Sequence, residues 1–169
     1  MRKIVSNATP LIYLAKVRKL DLLESLYEQV LIPEEVEKEV VGEGKRIGQK
    51  DAFLIEKKIS DGWINVLKAN EFIEIPMRLE KGEVAALTLA KELGVKEVLI
   101  DESLARSASE IIGLIPRGTI FVLLEALKIN KINFDEFMEI LGRLLKEGFR
   151  LREEVYLKAI EAAKMITKQ

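Results

Sequence analysis

Glu97-Val98-Leu99-Ile100-Asp101-Glu102-Ser103 carries an apolar run directly into two adjacent acids and then into a helical pattern. The run reads as a buried strand over Lys96–Ile100, and the helix that follows as Ser103–Ile111, with Gly113 as its stop. Asp101 and Glu102 therefore stand at the carboxyl end of a strand. In an open α/β fold that edge is where ligands bind.

Upstream, Lys3-Ile4-Val5-Ser6 is a first strand closed by Asn7, and Pro10 opens a helix through Val17, with Asn7 or Thr9 as its cap. Leu20–Tyr27 is helical and Val30-Leu31-Ile32 is a short buried strand. The helix Glu34–Val41 places Val36 and Val40 on the core side, with Glu39 along the edge of that face. Ala52–Ile59 is a helix and Trp63-Ile64-Asn65-Val66 a strand. Gly82–Leu93 is an amphipathic helix stopped by Gly94, with Glu83 in its first turn.

Downstream of the opening stretch, Leu114-Ile115 is a brief last strand. Helices over Thr119–Ile129, Phe134–Lys146 and Glu153–Ile166 close the chain. Strands alternating with helical crossovers predict an α/β three-layer sandwich, a parallel sheet of about five strands flanked by helices, with a helical C-terminus. No linker, repeat or low-complexity tract divides the 169 residues, so residues 1–169 are expected to form one domain. A chain of this length buries about 70% of the surface its unfolded form exposes.

Composition narrows the chemistry. The sequence has no cysteine and no histidine, which removes thiolate zinc sites, disulfides, cysteine nucleophiles and imidazole bases together. Carboxylate, amide and hydroxyl oxygens remain, and these hard ligands suit Mg²⁺ or Mn²⁺. The longest apolar stretch, Thr119–Leu127, is interrupted by Glu125 and falls short of a membrane span. Met1-Arg2-Lys3 leads into a strand too short for a signal segment, so a cytoplasmic location is expected. The net charge of -1 gives no global field for nucleic acid. Local basic patches are Lys45-Arg46 with Lys50 around the loop Gly42–Gly48, Arg78 with Lys81, and Arg106 with Arg117.

Each candidate acid also has a purely structural explanation. Asp at a strand-to-helix junction is a favoured N-cap, worth about 1 kcal/mol, and Asn7 and Thr119 fit the same role. Glu83 and Glu102 in first helical turns complement the helix dipole by roughly 0.3 to 1 kcal/mol. Independent caps have no reason to converge, whereas the strand ends of a doubly wound sheet open into one crevice. Two carboxylates about 4 Å apart repel by roughly 4 kcal/mol at an effective dielectric near 20, so convergence calls for a cation or a raised pKa. Arg106, four residues after Glu102, is placed either to pair with that acid or to approach a phosphate.

The segments IVSNATPLIYLAK at 4–16, VLIPEEVEKEVV at 30–41, EKGEVAALTLAKELG at 80–94, and VLIDESLARSASEIIGL at 98–114 followed by RGTIFVLLEALK at 117–128 together resemble the PIN domain nucleases. The likeness is to the archaeal and bacterial branch near the VapC-type toxins, and GFRLREEVYLKAI at 148–160 is similar to the C-terminal element of that branch. The resemblance implies a Mg²⁺- or Mn²⁺-dependent ribonuclease, with RNA as substrate, an antitoxin protein as partner, and a homodimer. Carried over by position, the metal-binding and catalytic residues are Asn7, Glu39, Glu83 and Asp101. Glu102, Thr119 and Arg106 stand in support, Glu102 where the family often has a second Asp.

Asn7 departs from the Asp that such nucleases generally carry after the first strand. An amide oxygen still ligates a hard cation, but the site loses one negative charge, which weakens binding. Two functions are therefore expected in competition. One is a metal-dependent endoribonuclease hydrolysing phosphodiester bonds. The other is a catalytically weakened PIN-like domain acting as an RNA-binding or antitoxin-binding regulator.

Overall fold

A computed structural model describes residues 2–46 and 49–169 of the chain. Met1, Ile47, Gly48 and the side chain of Arg46 lie outside the described residues, so the basic patch expected around Gly42–Gly48 is seen only in part. Strands β1 (Lys3–Ser6), β2 (Gln29–Pro33), β3 (Ile64–Leu67), β4 (Glu97–Leu99) and β5 (Ile115–Arg117) form one sheet in the order β3-β2-β1-β4-β5. Every pairing is parallel, with Ile4 beside Val30 and Val5 beside Val98.

The strands read as unbroken apolar runs because both faces are covered. Ile4, Val30, Ile32 and Leu99 face a core completed by Leu11, Leu14, Leu23, Leu123, Phe137 and Leu141. Val5, Leu31, Val98 and Ile100, their neighbours one position on, face a second core made largely of small residues, including Ala85, Ala86, Ala90, Ala105 and Ala108. Strand side chains alternate between faces, so one four-residue strand supplies both cores. The three-layer α/β arrangement expected from the sequence is the arrangement observed.

The helices are α1 (Ala8–Lys16), α2 (Leu20–Leu26), α3 (Glu34–Glu37), α4 (Gly44–Arg46), α5 (Lys50–Ser60), α6 (Lys81–Leu93), α7 (Ser103–Ile111), α8 (Thr119–Lys128), α9 (Phe134–Lys146) and α10 (Glu153–Thr167). Helix α1 starts two residues earlier than expected. Pro10 falls in its first turn, where the missing N–H would have had no intrahelical partner, and Asn7 takes the N-cap position. A larger difference follows α3. The residues Lys38–Glu43 are π-helical and connect α3 to α4, so the Gly42–Gly48 stretch is helical as far as Arg46 rather than a loop. Val36 and Val40 are still fully buried. No helix among the described residues is long and apolar enough to cross a membrane.

Candidate functional site

The sheet order reverses at β1. From there the chain proceeds to β2 and β3 on one side, then crosses to β4 and β5 on the other. A crevice opens at such a reversal, outside the carboxyl ends of the two strands that flank it. Asn7 follows β1, and Asp101 and Glu102 follow β4 closely. The ladder continues past the strands to hold this edge: Asn7 N–H donates to Leu99 O at 3.0 Å, and Ile100 N–H donates to Arg117 O at 2.8 Å.

At this edge a cavity of about 480 Å³ is lined by Asn7, Glu39, Glu80, Glu83 and Glu102, with Thr9 and Arg78. Asn7 is only 4% exposed and occupies the N-cap position of α1, yet its side chain caps nothing and makes no hydrogen bond among the described residues. Glu102 likewise stands at the N-cap of α7 without a cap bond. Structural capping, which would account for either residue alone, is not what these two side chains do.

Glu83 does carry a structural bond. Its Oε1 accepts the Glu80 backbone N–H at 2.9 Å at the start of α6, and the residue is 7% exposed. The second carboxylate oxygen is not used in this bond. Glu39 reaches the cavity from the π-helical stretch, and π-turns inside helices are frequent at functional sites. Its carboxylate lies against Gly82, where a β-carbon would collide with Glu39 Oε1. Glycine in the first turn of α6 is what admits the Glu39 head group.

Asp101 is drawn aside. Its Oδ1 accepts the Thr119 backbone N–H at 2.8 Å and its Oδ2 accepts the Thr119 hydroxyl at 2.7 Å. It thus caps α8, eighteen positions further along the chain, rather than the adjacent α7. Its side chain lines a neighbouring cavity of about 790 Å³, which shares Thr9 and Glu102 with the first. Gly118 lets the acid in, since a β-carbon there would stand 3.0 Å from Asp101 Oδ1 and 3.2 Å from Arg106 Nη1.

Electrostatics mark the same residues. Burial, then the charges of Glu80 and Glu83, push the Glu39 pKa up. Burial also pushes Glu83 up, against its bond from the Glu80 backbone, and the Glu80 and Glu102 charges add to the rise. Asp101 is raised by burial, which outweighs its two bonds from Thr119 and the attraction of Arg106, with Glu102 adding to the rise. Among the described residues none of these acids is in an ion pair, and Arg78 at the cavity wall pairs with none of them.

Three expectations change. Arg106 does not pair with Glu102; its Nη1 donates to Ile100 O at 3.0 Å, beside Asp101. Thr119 does not cap its helix, since Gly118 holds the N-cap position of α8 and the fully buried Thr119 donates its hydroxyl to Asp101. Arg117 leaves the expected patch with Arg106 and bonds Glu97 at 3.2 Å. The structure brings Asn7, Glu39, Glu83 and Glu102 to one wall and sets Asp101 and Arg106 on the next. Among the described residues no three acidic side chains converge on one point.

Sequence reading missed Glu80. The signal was its position three residues before Glu83, the spacing at which the first and fourth residues of a helix bond each other's backbone. The segment carrying it, between β3 and α6, is pinned by Glu92, which accepts the Asn70 and Glu71 N–H groups at 3.0 and 3.1 Å, and by Thr88, which accepts that of Ile73. A family model described as PIN domain matches residues 3–165. No curated protein matches the chain.

Proposed function

The chain belongs to the PIN domain family, a nuclease-type fold whose members generally use divalent metal ions, and from that premise we propose that it is a metal-dependent endoribonuclease. The observation that carries the reading is the set of oxygen-bearing side chains Asn7, Glu39, Glu83 and Glu102 on one cavity wall at the point where the sheet order reverses, without a cationic side chain paired to any of them among the described residues.

The donor set fits a hard divalent cation. It offers carboxylate oxygens and one neutral amide oxygen, and no softer ligand exists anywhere in the sequence apart from methionine sulfur. Buried like charges raise one another's pKa, which a bound cation would reverse. Because no three acids converge among the described residues, two of them would hold it, Glu83 with either Glu39 or Glu102, with waters and the Asn7 amide oxygen completing the shell and Asp101 at the border between the two cavities. When bound, Mg²⁺ or Mn²⁺ lowers the pKa of a water and takes up charge on a phosphate oxygen.

The protein's own groups do the positioning. Thr119 fixes Asp101 through two hydrogen bonds, and Glu80 fixes Glu83 through one, so both acids present a defined oxygen rather than a freely rotating head group. The Asn7 amide contributes an oxygen without adding charge. The expected products are RNA fragments with 5′-phosphate and 3′-hydroxyl ends. The test is cleavage of a mixed RNA pool with Mn²⁺ by the parent and by a variant carrying Asp101→Asn and Glu83→Gln. The parent should cleave and the variant should not; equal activity would exclude this site as the source.

The neutral Asn7 favours a second reading, a domain that binds RNA or a protein antitoxin without cutting. Salt-dependent RNA binding that ignores metal, with no cleavage under Mg²⁺ or Mn²⁺, would support it.

A further inference from the structure

The larger cavity is a different chemical environment from the acidic one it adjoins. Besides Asp101 and Glu102 at the shared border, its wall carries Arg106, Arg150 and Arg152, with the aromatic rings of Tyr13 and Phe121. Arg150 is exposed and makes no ion pair among the described residues. Arg152 stands 3.7 Å from Glu154, but both side chains are mostly exposed, and a contact of that kind holds a guanidinium only weakly. Arg106 uses Nη1 on Ile100 O, leaving its other donors.

Each ring is packed by a neighbour. Tyr13 packs edge-on against the buried Phe149, with ring centres 5.2 Å apart at 79°. Phe121 lines the cavity while Arg117, which lies 4.3 Å from its centre, does not line it. Arginines beside aromatic faces are the equipment with which proteins follow a single strand, the guanidinium groups meeting phosphates and the rings stacking on unpaired bases.

We infer that this cavity is the track for single-stranded RNA, taking the nucleotides on one side of the phosphate cut at the acidic site, with Arg150 and Arg152 as its phosphate contacts. The inference rests on the nuclease reading for the direction of the strand but not for binding itself. Charge decides the occupant: a polyanion gains from Arg106, Arg150 and Arg152, which outnumber the two acids of the same wall, Asp101 and Glu102. Base stacking requires unpaired bases, so a duplex is the poorer ligand.

The experiment measures binding of a fluorescent mixed-sequence RNA 12-mer to the full chain in EDTA, by anisotropy across a series of KCl concentrations. It compares the parent, a variant with Arg150→Ala and Arg152→Ala, and a control with Lys164→Ala and Lys168→Ala at the far end of α10. Cleavage of the same RNA with Mn²⁺ is followed in parallel. Losing two phosphate contacts should weaken binding at least ~10-fold and lower the salt slope by about 1.4, while the control stays like the parent. Both sites are exposed, so the variants should keep the parent's circular dichroism and melting temperature.

Cleavage by the parent together with unchanged RNA binding by the arginine variant would overturn the track while leaving the nuclease reading in place; an acidic peptide displaced by the same substitutions would then identify the face as a protein site. Arginine-dependent RNA binding by a parent that never cleaves would support the track and sink the nuclease reading instead. Equal loss in the lysine control, or no RNA binding by the parent, would also overturn the track.

Discussion

The two ends of β4 hold carboxylates in opposite circumstances. At its start, Glu97 accepts from Arg2 Nη2 at 3.0 Å and from Arg117 Nε at 3.2 Å, and Arg2 lies over the Tyr27 ring at 4.6 Å. Burial pushes the Glu97 pKa up, but the arginine bonds and charges outweigh it and hold the group below its ordinary value. Just past its other end, Glu102 adjoins Glu83, Glu39 and Glu80, and the pKa values of Glu39, Glu83 and Asp101 move up. One end is neutralised within the chain. The other keeps its repulsion, with no ion pair to any of these acids among the described residues, the pattern by which a candidate binding site differs from a structural ion cluster.

The sharpest way to break the contrast is to remove charge at each end in turn. Glu83→Gln with Glu102→Gln should lower Mn²⁺-dependent RNA cleavage at least ~100-fold while leaving the metal-free melting temperature unchanged or higher, because the lost charges repelled their neighbours. Glu97→Gln should do the reverse. Cleavage per folded molecule should stay within about twofold, and urea unfolding should show a loss of about 1 to 2 kcal/mol from charged hydrogen bonds to partly exposed arginines.

Next in size is a change that touches no acid. Gly82→Ala puts a methyl group where Glu39 Oε1 lies, so Mn²⁺ affinity measured by calorimetry should fall by about 10-fold although every candidate ligand is still present. Unaltered affinity would remove Glu39 from the site. Asn7→Asp should act in the opposite direction. It adds a fifth acid to a wall that already carries Glu39, Glu80, Glu83 and Glu102, so metal-free stability should drop and the stabilisation on adding Mn²⁺ should grow, read as the difference in melting temperature with and without the ion.

The smallest effect is the response to pH without metal. Glu39, Glu83 and Asp101 have folded pKa values above their unfolded ones, so the native state binds more protons just above the ordinary carboxylate range. Their contribution is present at low pH and is lost as pH rises through the raised values. Glu97 is lowered, so its contribution is present above its unfolded value and lost as pH falls through the folded one. Urea midpoints in EDTA should therefore decline as pH rises above the ordinary carboxylate range, and saturating Mn²⁺ should flatten the decline.

Local chemistry made the strands legible. Ile4, Val5, Val30, Leu31 and Ile32 announce themselves as buried on two faces because a covered parallel strand leaves no polar position to mislead the eye. Asn7, Asp101 and Glu102 could be placed at the strand ends for the same reason, and Glu83 in the first turn of a helix by its apolar period. What stayed hidden were relations across the chain. The hold of Thr119 on Asp101 and the fit of Glu39 against Gly82 join residues far apart in sequence, and no spacing rule encodes them. The helical period placed Val36, Val40 and Glu39 correctly but gave no sign that Lys38–Glu43 is π-helical, because counting by 3.6 assumes a regular pitch. Arg150 and Arg152 are not among the basic patches read from the sequence, since only the return of the chain past α9 carries them to the side of the acidic cavity.

The π-helical stretch has a genetic consequence. Such a stretch amounts to a regular helix with one residue squeezed in, and each residue of an α-helix advances the side chains by about 100°. Deleting a single codon between Lys38 and Glu43 would let the segment relax to ordinary pitch, swing Glu39 away from Gly82, and leave the valines beneath able to settle back into the core. An active lineage and a silent one could then stand one in-frame deletion apart, with the same sheet, the same fold and every other ligand intact.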